Sequence, residues 1–410
     1  MILPFALLLL AMAAAPALAP KWWFKHYPKV ALGLGAVTLG YYLFGLRAPE
    51  RMLDTAHEYV SFIALIGSLY VVSGGIHIVV KGEATPLANV AFLFVGAVLA
   101  NLLGTTGAAM LLIRPWIRVN RHRIRAYHVA FFIFLVANIG GGLTPIGDPP
   151  LFLGYLQGVP FWWVTTHCWP MWALAVGWLL ATFYILDRIH FARAPETNGA
   201  QEVWRFDGFS NLLFIAVILG AVFLEKPVFL REGLMLAAAL GSYLMTRRRL
   251  RHVHEQNEFD FHPVKEVVLL FAGIFATMVP ALDWLKDHAH DLLGAHPPPG
   301  VFFWSAGGLS AVLDNAPTYL GFLSALLGVS GAKDAAGLLA QNAADIVAIS
   351  VGAVFFGAAT YIGNGPNFMI KAVADQQRVR APTFMGYIFR FTLPVLVPAL
   401  IVVWLLCFRG

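Results

Sequence analysis

Apolar runs close to the ~20 residues that a helix needs to cross a bilayer recur along the whole chain. Of its 410 residues, 59% are hydrophobic and 12% charged, and the mean hydropathy is +0.72. A soluble domain carries about 25% charge, so no water-exposed fold could hide this much apolar surface. Lipid offers no partner to a backbone N–H or C=O, which leaves helices or closed barrels. The runs are continuous and lack the period-two alternation of a barrel strand. The expected fold class is an all-α polytopic membrane protein.

Spans are predicted at 3–19, 29–46, 56–80, 127–158, 161–186, 208–224, 231–247, 265–284, 341–376 and 384–408. Two apolar stretches remain, 87–117 and 300–332, broken in the middle by "LLGTTG" and "LDNAPT". Each is too long for one simple span, and each break falls where a turn would. They read as re-entrant hairpins, a backbone form tolerated only where protein or water covers it.

The first twenty residues resemble a signal peptide with an Ala-x-Ala end, but they lack a positive n-region. Cleavage would leave Lys21, Lys25 and Lys29 outside, so the segment reads as a retained first helix with an outside N-terminus. The inside loops then hold Lys21, Lys25, Lys29, Lys81, Arg118, Arg121, Arg123, Arg125, Arg188, Arg193, Arg205, Arg247, Arg248, Arg249, Arg251, Lys265, Arg378, Arg380 and Arg390. The outside holds Arg47, Arg51, Lys226, Arg231, Lys286, Lys333 and Arg409, while Arg114 and Lys371 fall within membrane segments. This asymmetry is the positive-inside pattern. The runs "RVNRHRIR" (118–125) and "TRRRLRHVH" (246–254) therefore read as cytoplasmic loops, with no nucleic acid as partner. Cys168 and Cys407 lie in apolar segments and say nothing of disulfides.

"TPIGDPPLF" (144–152) and "TYIGNGPNF" (360–368) interrupt two distant apolar segments in the same way, sharing Thr, Ile, Gly, Pro and Phe at identical spacing. The elements around them repeat as well. Span 56–80, hairpin 87–117, broken span 127–158 and span 161–186 match 265–284, 300–332, 341–376 and 384–408. The first unit starts outside and the second inside, which makes an inverted 5+5 repeat with two re-entrant hairpins and two broken helices. The expected organisation is N-terminal scaffold helices at 1–55, a first core at 56–190, linking scaffold helices at 191–260 and a second core at 261–410. Inverted repeats with interrupted helices mark secondary transporters, with the site at the midplane between the repeats.

The breaks supply the chemistry. "NIGGG" (138–142) ends one half-helix with free carbonyls that suit a cation; Pro149 and Pro150 can start the next. Asp148 stands at the N-cap position. The facing break offers Thr360, Asn364 and Asn367, with Gly147 and Gly363 in equivalent places. The hairpin tips add Thr105 and Thr106 on one side and Asp314, Asn315 and Thr318 on the other. These are hard oxygen donors, suited to Na+ or protons. An ion site is expected from Thr144, Asp148, Asp314, Asn315, Thr360 and Asn364. Intramembrane carboxylates such as Asp148 and Asp314 are expensive and point to function; the plainer alternative is that both merely cap helices. Arg114 could bind an anion or balance Asp148, or snorkel to the surface. Lys371 could compete with a cation or reach the interface, and Asp345 could be solvated. Glu225, Asp283, His288, His290 and His296 read as solvated, and Trp162, Trp163, Trp169 and Trp172 as an interfacial belt and packing.

At these residues the chain resembles the ion transporter superfamily, which includes sodium/proton antiporters, arsenite permeases, citrate transporters and sodium-coupled dicarboxylate transporters. "GGLTPIGDPPLF" (141–152) looks like the antiporter and citrate-transporter form of the first break, and "VLDNAPTYL" (312–320) like their second hairpin tip. The dicarboxylate branch carries Ser-Asn-Thr tips where this chain has "GTTG" and "DNAPT". The resemblance covers roughly 56–408 and implies a homodimer with a scaffold domain and a sliding transport domain. The leading expectation is a Na+/H+ antiporter of the inner membrane, with Na+ and H+ as transported or coupling ions and no cofactor. The alternative is a cation-coupled citrate or dicarboxylate carrier, with Arg114 and the half-helix N-termini holding the carboxylates. A channel is a third class. No phosphate loop, nucleophile triad or metal-spaced Cys/His set suggests an enzyme. The inverted topology is testable: single cysteines in loops 118–125 and 286–296 should label from opposite sides of the membrane, and labelling of both from one side would contradict two hairpins.

Overall fold

The computed structural model describes residues 2–79, 84–191, 205–224, 226–294, 296–332 and 334–409. Lys81, Arg193, Glu225 and Lys333, placed above by charge or exposure, lie outside these residues. The chain is a bundle of helices: α1 (Leu3–Leu18), α2 (Pro20–Gly40), α3 (Pro49–Gly74), α4 (Pro86–Val119), α5 (Ala126–Leu135), α6 (Pro149–Leu156), α7 (Phe161–Phe191), α8 (Asn211–Ala221), α9 (Leu230–Arg249), α10 (Arg251–Gln256) and α11 (His262–Leu293). There follow α12 (Pro299–Ser310), α13 (Asn315–Ser330), α14 (Ala335–Gln341), α15 (Ala343–Phe356), α16 (Gly365–Gln376), α17 (Phe384–Tyr387) and α18 (Val397–Cys407), the last two joined by a wide helical stretch. Among the described residues, five helical stretches are each long and apolar enough to cross a bilayer: α3, α4, α7, α11 and Phe384–Cys407. It is an all-α polytopic membrane protein, as its composition demands.

Several boundaries differ from the sequence reading: α3 starts at Pro49 rather than 56, α7 runs on to Phe191 and α11 to Leu293, and two further differences bear on the loops. Helix α2 starts at Pro20 rather than 29, so Lys21, Lys25 and Lys29 ride on a helix and not in a loop. A proline in the first turn gives up no needed N–H, and the apolar pattern alone could not see that start. Helix α3 ends at Gly74 rather than 80, and β1 (His77–Val79) instead pairs antiparallel with β2 (Arg205–Asp207), His77 opposite Asp207. Asn257 fixes this turn, donating to the Gly74 and Ile76 carbonyls at 2.9 and 2.7 Å. Asp283 is also more than solvated, since it pairs with Arg51 at 2.6 Å.

Close backbone approach joins the early helices to α11. A Cβ on Gly273 of α11 would stand 2.7 Å from the Cβ of Ala31 on α2, and one on Gly35 would stand 3.1 Å from Ala276. Small residues one turn apart let helices meet where lipid gives no hydrophobic drive to do so.

Helix α4 folds back on itself. A straight helix of its length would be about 50 Å long, yet Asn89 near its start and Asn120 just past its end exchange side-chain hydrogen bonds of 2.8 and 3.1 Å. Phe92 lies 5.3 Å from Trp116, centroid to centroid. The reversal is at Gly104, with φ 73° and ψ 155°, a conformation essentially confined to glycine. The two ends are tied to α7 by buried Asp187, which accepts from Asn89 at 3.0 Å and Tyr127 at 2.7 Å and pairs with Arg123. The second hairpin is α12–α13. Helix α12 leaves from the end of α11, and α13 returns to it, with Gly328 packed directly on the Lys286 backbone. Both stretches read as re-entrant from sequence thus double back. In a protein freed of its native cysteines, Asn89→Cys with Asn120→Cys should cross-link on oxidation. A 34-residue straight span would leave the pair on opposite membrane faces and uncross-linked.

Candidate functional site

Each expected break interrupts a helix. Helix α5 stops at Leu135 and α6 restarts at Pro149 with Asp148 as N-cap; α15 stops at Phe356 and α16 restarts at Gly365 with Asn364 as N-cap. Their equivalence is written in hydrogen bonds. Thr144 Oγ1 donates to the Asn101 carbonyl at 2.7 Å and accepts from Gly147 N at 3.1 Å. Thr360 Oγ1 donates to the Ala311 carbonyl at 2.7 Å and accepts from Gly363 N at 3.2 Å. Each threonine therefore pins its break to the neighbouring hairpin. Gly147 packs on the Gly141 carbonyl, and a Cβ on Gly363 would stand 2.7 Å from the Gly357 oxygen. Any larger residue would push these loops apart, which gives both glycines a structural role.

Asp148 is where the parts meet. It is 1% exposed. Its side chain makes no cap hydrogen bond to α6. Instead it accepts from Thr105 Oγ1 at 2.7 Å, from Asn364 Nδ2 at 3.0 Å and from Asn315 Nδ2 at 2.6 Å. Thr105 is the first residue after the tip of one hairpin, Asn315 the first of α13 after the other, and Asn364 is Asp148's own counterpart. One carboxylate thus gathers three other expected residues from three other elements. Among the described residues no Lys, Arg or His pairs with it.

Asp314 stands differently. Its Oδ1 accepts from Ala316 N at 3.1 Å, so it caps α13, and its carboxylate also borders a cavity next to Asn364. Thr318 donates to the Asp314 backbone carbonyl at 2.9 Å, which commits its hydroxyl to the helix. Asn367 holds the second break by donating to the Gly357 and Thr360 carbonyls at 2.8 and 2.9 Å. Thr106 lines a small cleft beside Thr105 and Asp148.

The three candidate charge partners lie elsewhere. Arg114 pairs with Glu258 at 3.0 Å and does not balance Asp148. Lys371 pairs with Asp375 one turn on, at 2.6 Å. Asp345 accepts from Asn342 at 2.9 Å in the first turn of α15, remote from the break.

Two side chains that hold the site together escaped the sequence reading. Asn138 donates to Asn367 Oδ1 at 2.7 Å and accepts from Asn364 at 3.2 Å, joining the two breaks directly. Asn101 donates to the Gly140 carbonyl at 2.7 Å and accepts from Leu143 N at 2.9 Å, bonding the hairpin to the first break. Both are asparagines within apolar runs, and that was the available signal. Trp172, placed in the aromatic belt, also donates to the Gly140 carbonyl at 3.0 Å. Asn138→Ala leaves Asn367 Oδ1 and one Asn364 hydrogen without this partner, and should cost about 1–3 kcal/mol. Thermal unfolding in detergent measures this, and an unshifted midpoint would show that the bridge is not structural.

A family model described as "Putative citrate transport" matches residues 1–408. Uncharacterized transporters of Mycobacterium bovis and Mycobacterium tuberculosis are each 25% identical to the chain over 324 residues, covering 74% of it and 72% of their own length.

Proposed function

We propose, since this chain belongs to the family described as "Putative citrate transport", that its transport is coupled to a cation, Na+ or H+, held at Asp148 between the two broken helices. The supporting observation is a buried carboxylate ringed by neutral donors, with no basic partner among the described residues. An ionised carboxylate is costly to bury alone. A proton or a metal cation arriving at Asp148 removes that cost, and its departure restores it, which is the property a coupling site needs.

The surroundings suit both cargoes. Ala137 O, Asn138 Oδ1 and Asp148 Oδ1 converge on Asn364 Nδ2 at 3.2, 3.2 and 3.0 Å. An amide NH2 has two hydrogens for these three oxygens. Turning that amide over would place a fourth oxygen among them, giving a hard-donor set for Na+. Asn315 Oδ1 is buried without a hydrogen-bond partner. Turning its amide over would offer that oxygen to a proton on Asp148 Oδ2. In this reading Asn315 and Asn364 switch orientation as Asp148 changes partner.

Exchange of Na+ for H+ is the reading this geometry favours. A second reading draws on the family description and on the N-termini of α6 and α16, whose partial positive charge suits an anion. There citrate enters with its charge offset by cations, because among the described residues no basic side chain pairs at Asp148 to do so. Proteoliposomes with an internal pH dye, given Na+, Li+, K+ and then citrate, separate the two. Alkalinisation by a cation alone means exchange; a response only with citrate means a coupled carrier. Asp148→Asn should lower flux by at least about 10-fold, the loss expected with one charged hydrogen-bonding group, and the half-saturating Na+ concentration of the unmodified protein should rise as pH falls. Asp314→Asn should be milder, because asparagine caps nearly as well. Normal flux in correctly inserted Asp148→Asn would remove this carboxylate from the mechanism.

A further inference from the structure

The two sides of the site are unequally open. Beside Asp148 and Thr105 the cleft measures about 20 Å³. On the face of Asp314 and Asn364 a cavity of about 150 Å³ runs between Met12 of α1, Trp23 of α2, and Glu266 and Leu270 of α11. Its walls are otherwise largely apolar, and among the described residues its lining includes two carboxylates, Glu266 and Asp314, but no Lys, Arg or His. Glu266 has no ion-pair partner among the described residues, and its neighbour Lys265 is exposed outside the lining. The cavity meets the α1–α2 junction and the first turns of α11, the side to which the basic loops 118–125 and 246–254 are assigned by charge.

We propose that this cavity is the aqueous entrance to the Asp148 site from that side, and that Glu266 is its charge filter, a positioning residue that gathers cations and turns back free anions. The proposal rests on the cation reading above. A cleft lined by one sign of charge between low-dielectric walls focuses the field and raises the local concentration of counter-ions. Here the filter charge lies on α11, whereas Asp148 stands at the N-cap position of α6. Cations would thus be selected before they reach the ring that binds them. Any carboxylate cargo would pass only with its own cations attached.

The test needs no transport. In a protein with Cys168 and Cys407 replaced, Leu270→Cys places a thiol in the cavity, and Met12→Cys provides a second position. Each is treated, in membranes open to that side, with membrane-impermeant thiosulfonates of positive and negative charge, with rates normalised to a free thiol in solution. The cationic reagent should react about 10-fold faster, within the range of field focusing in charged clefts. Glu266→Gln should remove most of that preference, as should high salt. Equal rates, a preference for the anionic reagent, or a preference untouched by Glu266→Gln would overturn the filter. Failure of both thiols to react would overturn the entrance. A cation preference in a protein that moves neither Na+ nor H+ would leave the filter standing and remove the transport reading. Cation flux with no preference would do the reverse.

Discussion

A helix broken inside a bilayer strands N–H and C=O groups where no water can meet them, and the rest of this structure answers that problem. The breaks at 136–148 and 357–364 are covered by neighbouring elements, whose side chains replace the lost helical bonds. Asn101 and Trp172 meet the Gly140 carbonyl, and Asn367 meets those of Gly357 and Thr360. Thr144 and Thr360 bind their loops to the two hairpins. Each of these partners must itself be held, which is why the hairpins turn back at the site. The polar centre is the means by which irregular backbone survives in lipid.

The same demand explains why so much could be read from sequence. Repeated prolines and glycines inside apolar runs cannot be continuous helix, so both breaks and both hairpin tips were visible. Asp148, Asn315, Asn364 and Thr105 followed from their positions beside those breaks, and the structure gathers all four. What stayed hidden depends on distance through space. Asn138 bonds Asn364 and Asn367 across more than 220 positions of sequence, and a single asparagine in an apolar run does not announce its partner. Arg114 and Lys371 failed as charge partners for the same reason, since periodicity places a residue on a segment without saying which neighbour its long side chain meets. The β1–β2 ribbon, three residues per strand, is too short for any pattern to reveal.

Asp314 shows how one residue type can serve two ends. Its carboxylate caps α13, and the residue also lines the larger cavity, so capping does not withdraw it from that space. At Asp148 the capping and the functional interpretations separate, because a residue in N-cap position leaves its helix uncapped and spends its oxygens on three other elements. That departure from local rule is the kind that accompanies function. It also fits poorly with a free carboxylate ligand, which would meet this negative charge with no guanidinium or ammonium paired to it among the described residues.

Asp148 and Asn364 occupy equivalent caps, but one is acidic and its twin neutral, so the ring they form with Thr105 and Asn315 bears a single formal charge. On the cation reading proposed above, the ring would be neutral when loaded with one monovalent ion and anionic when emptied. The membrane potential, worth about 2.3 kcal/mol per elementary charge per 100 mV, would then do work on the empty ring and none on the loaded one. In a cell with a negative interior that work would draw the empty ring towards the outer face. An acid at position 364 would double the charge of the empty ring and move the electrical asymmetry to a different step. On that reading, the amide in place of a second carboxylate would set which half of the cycle feels the voltage.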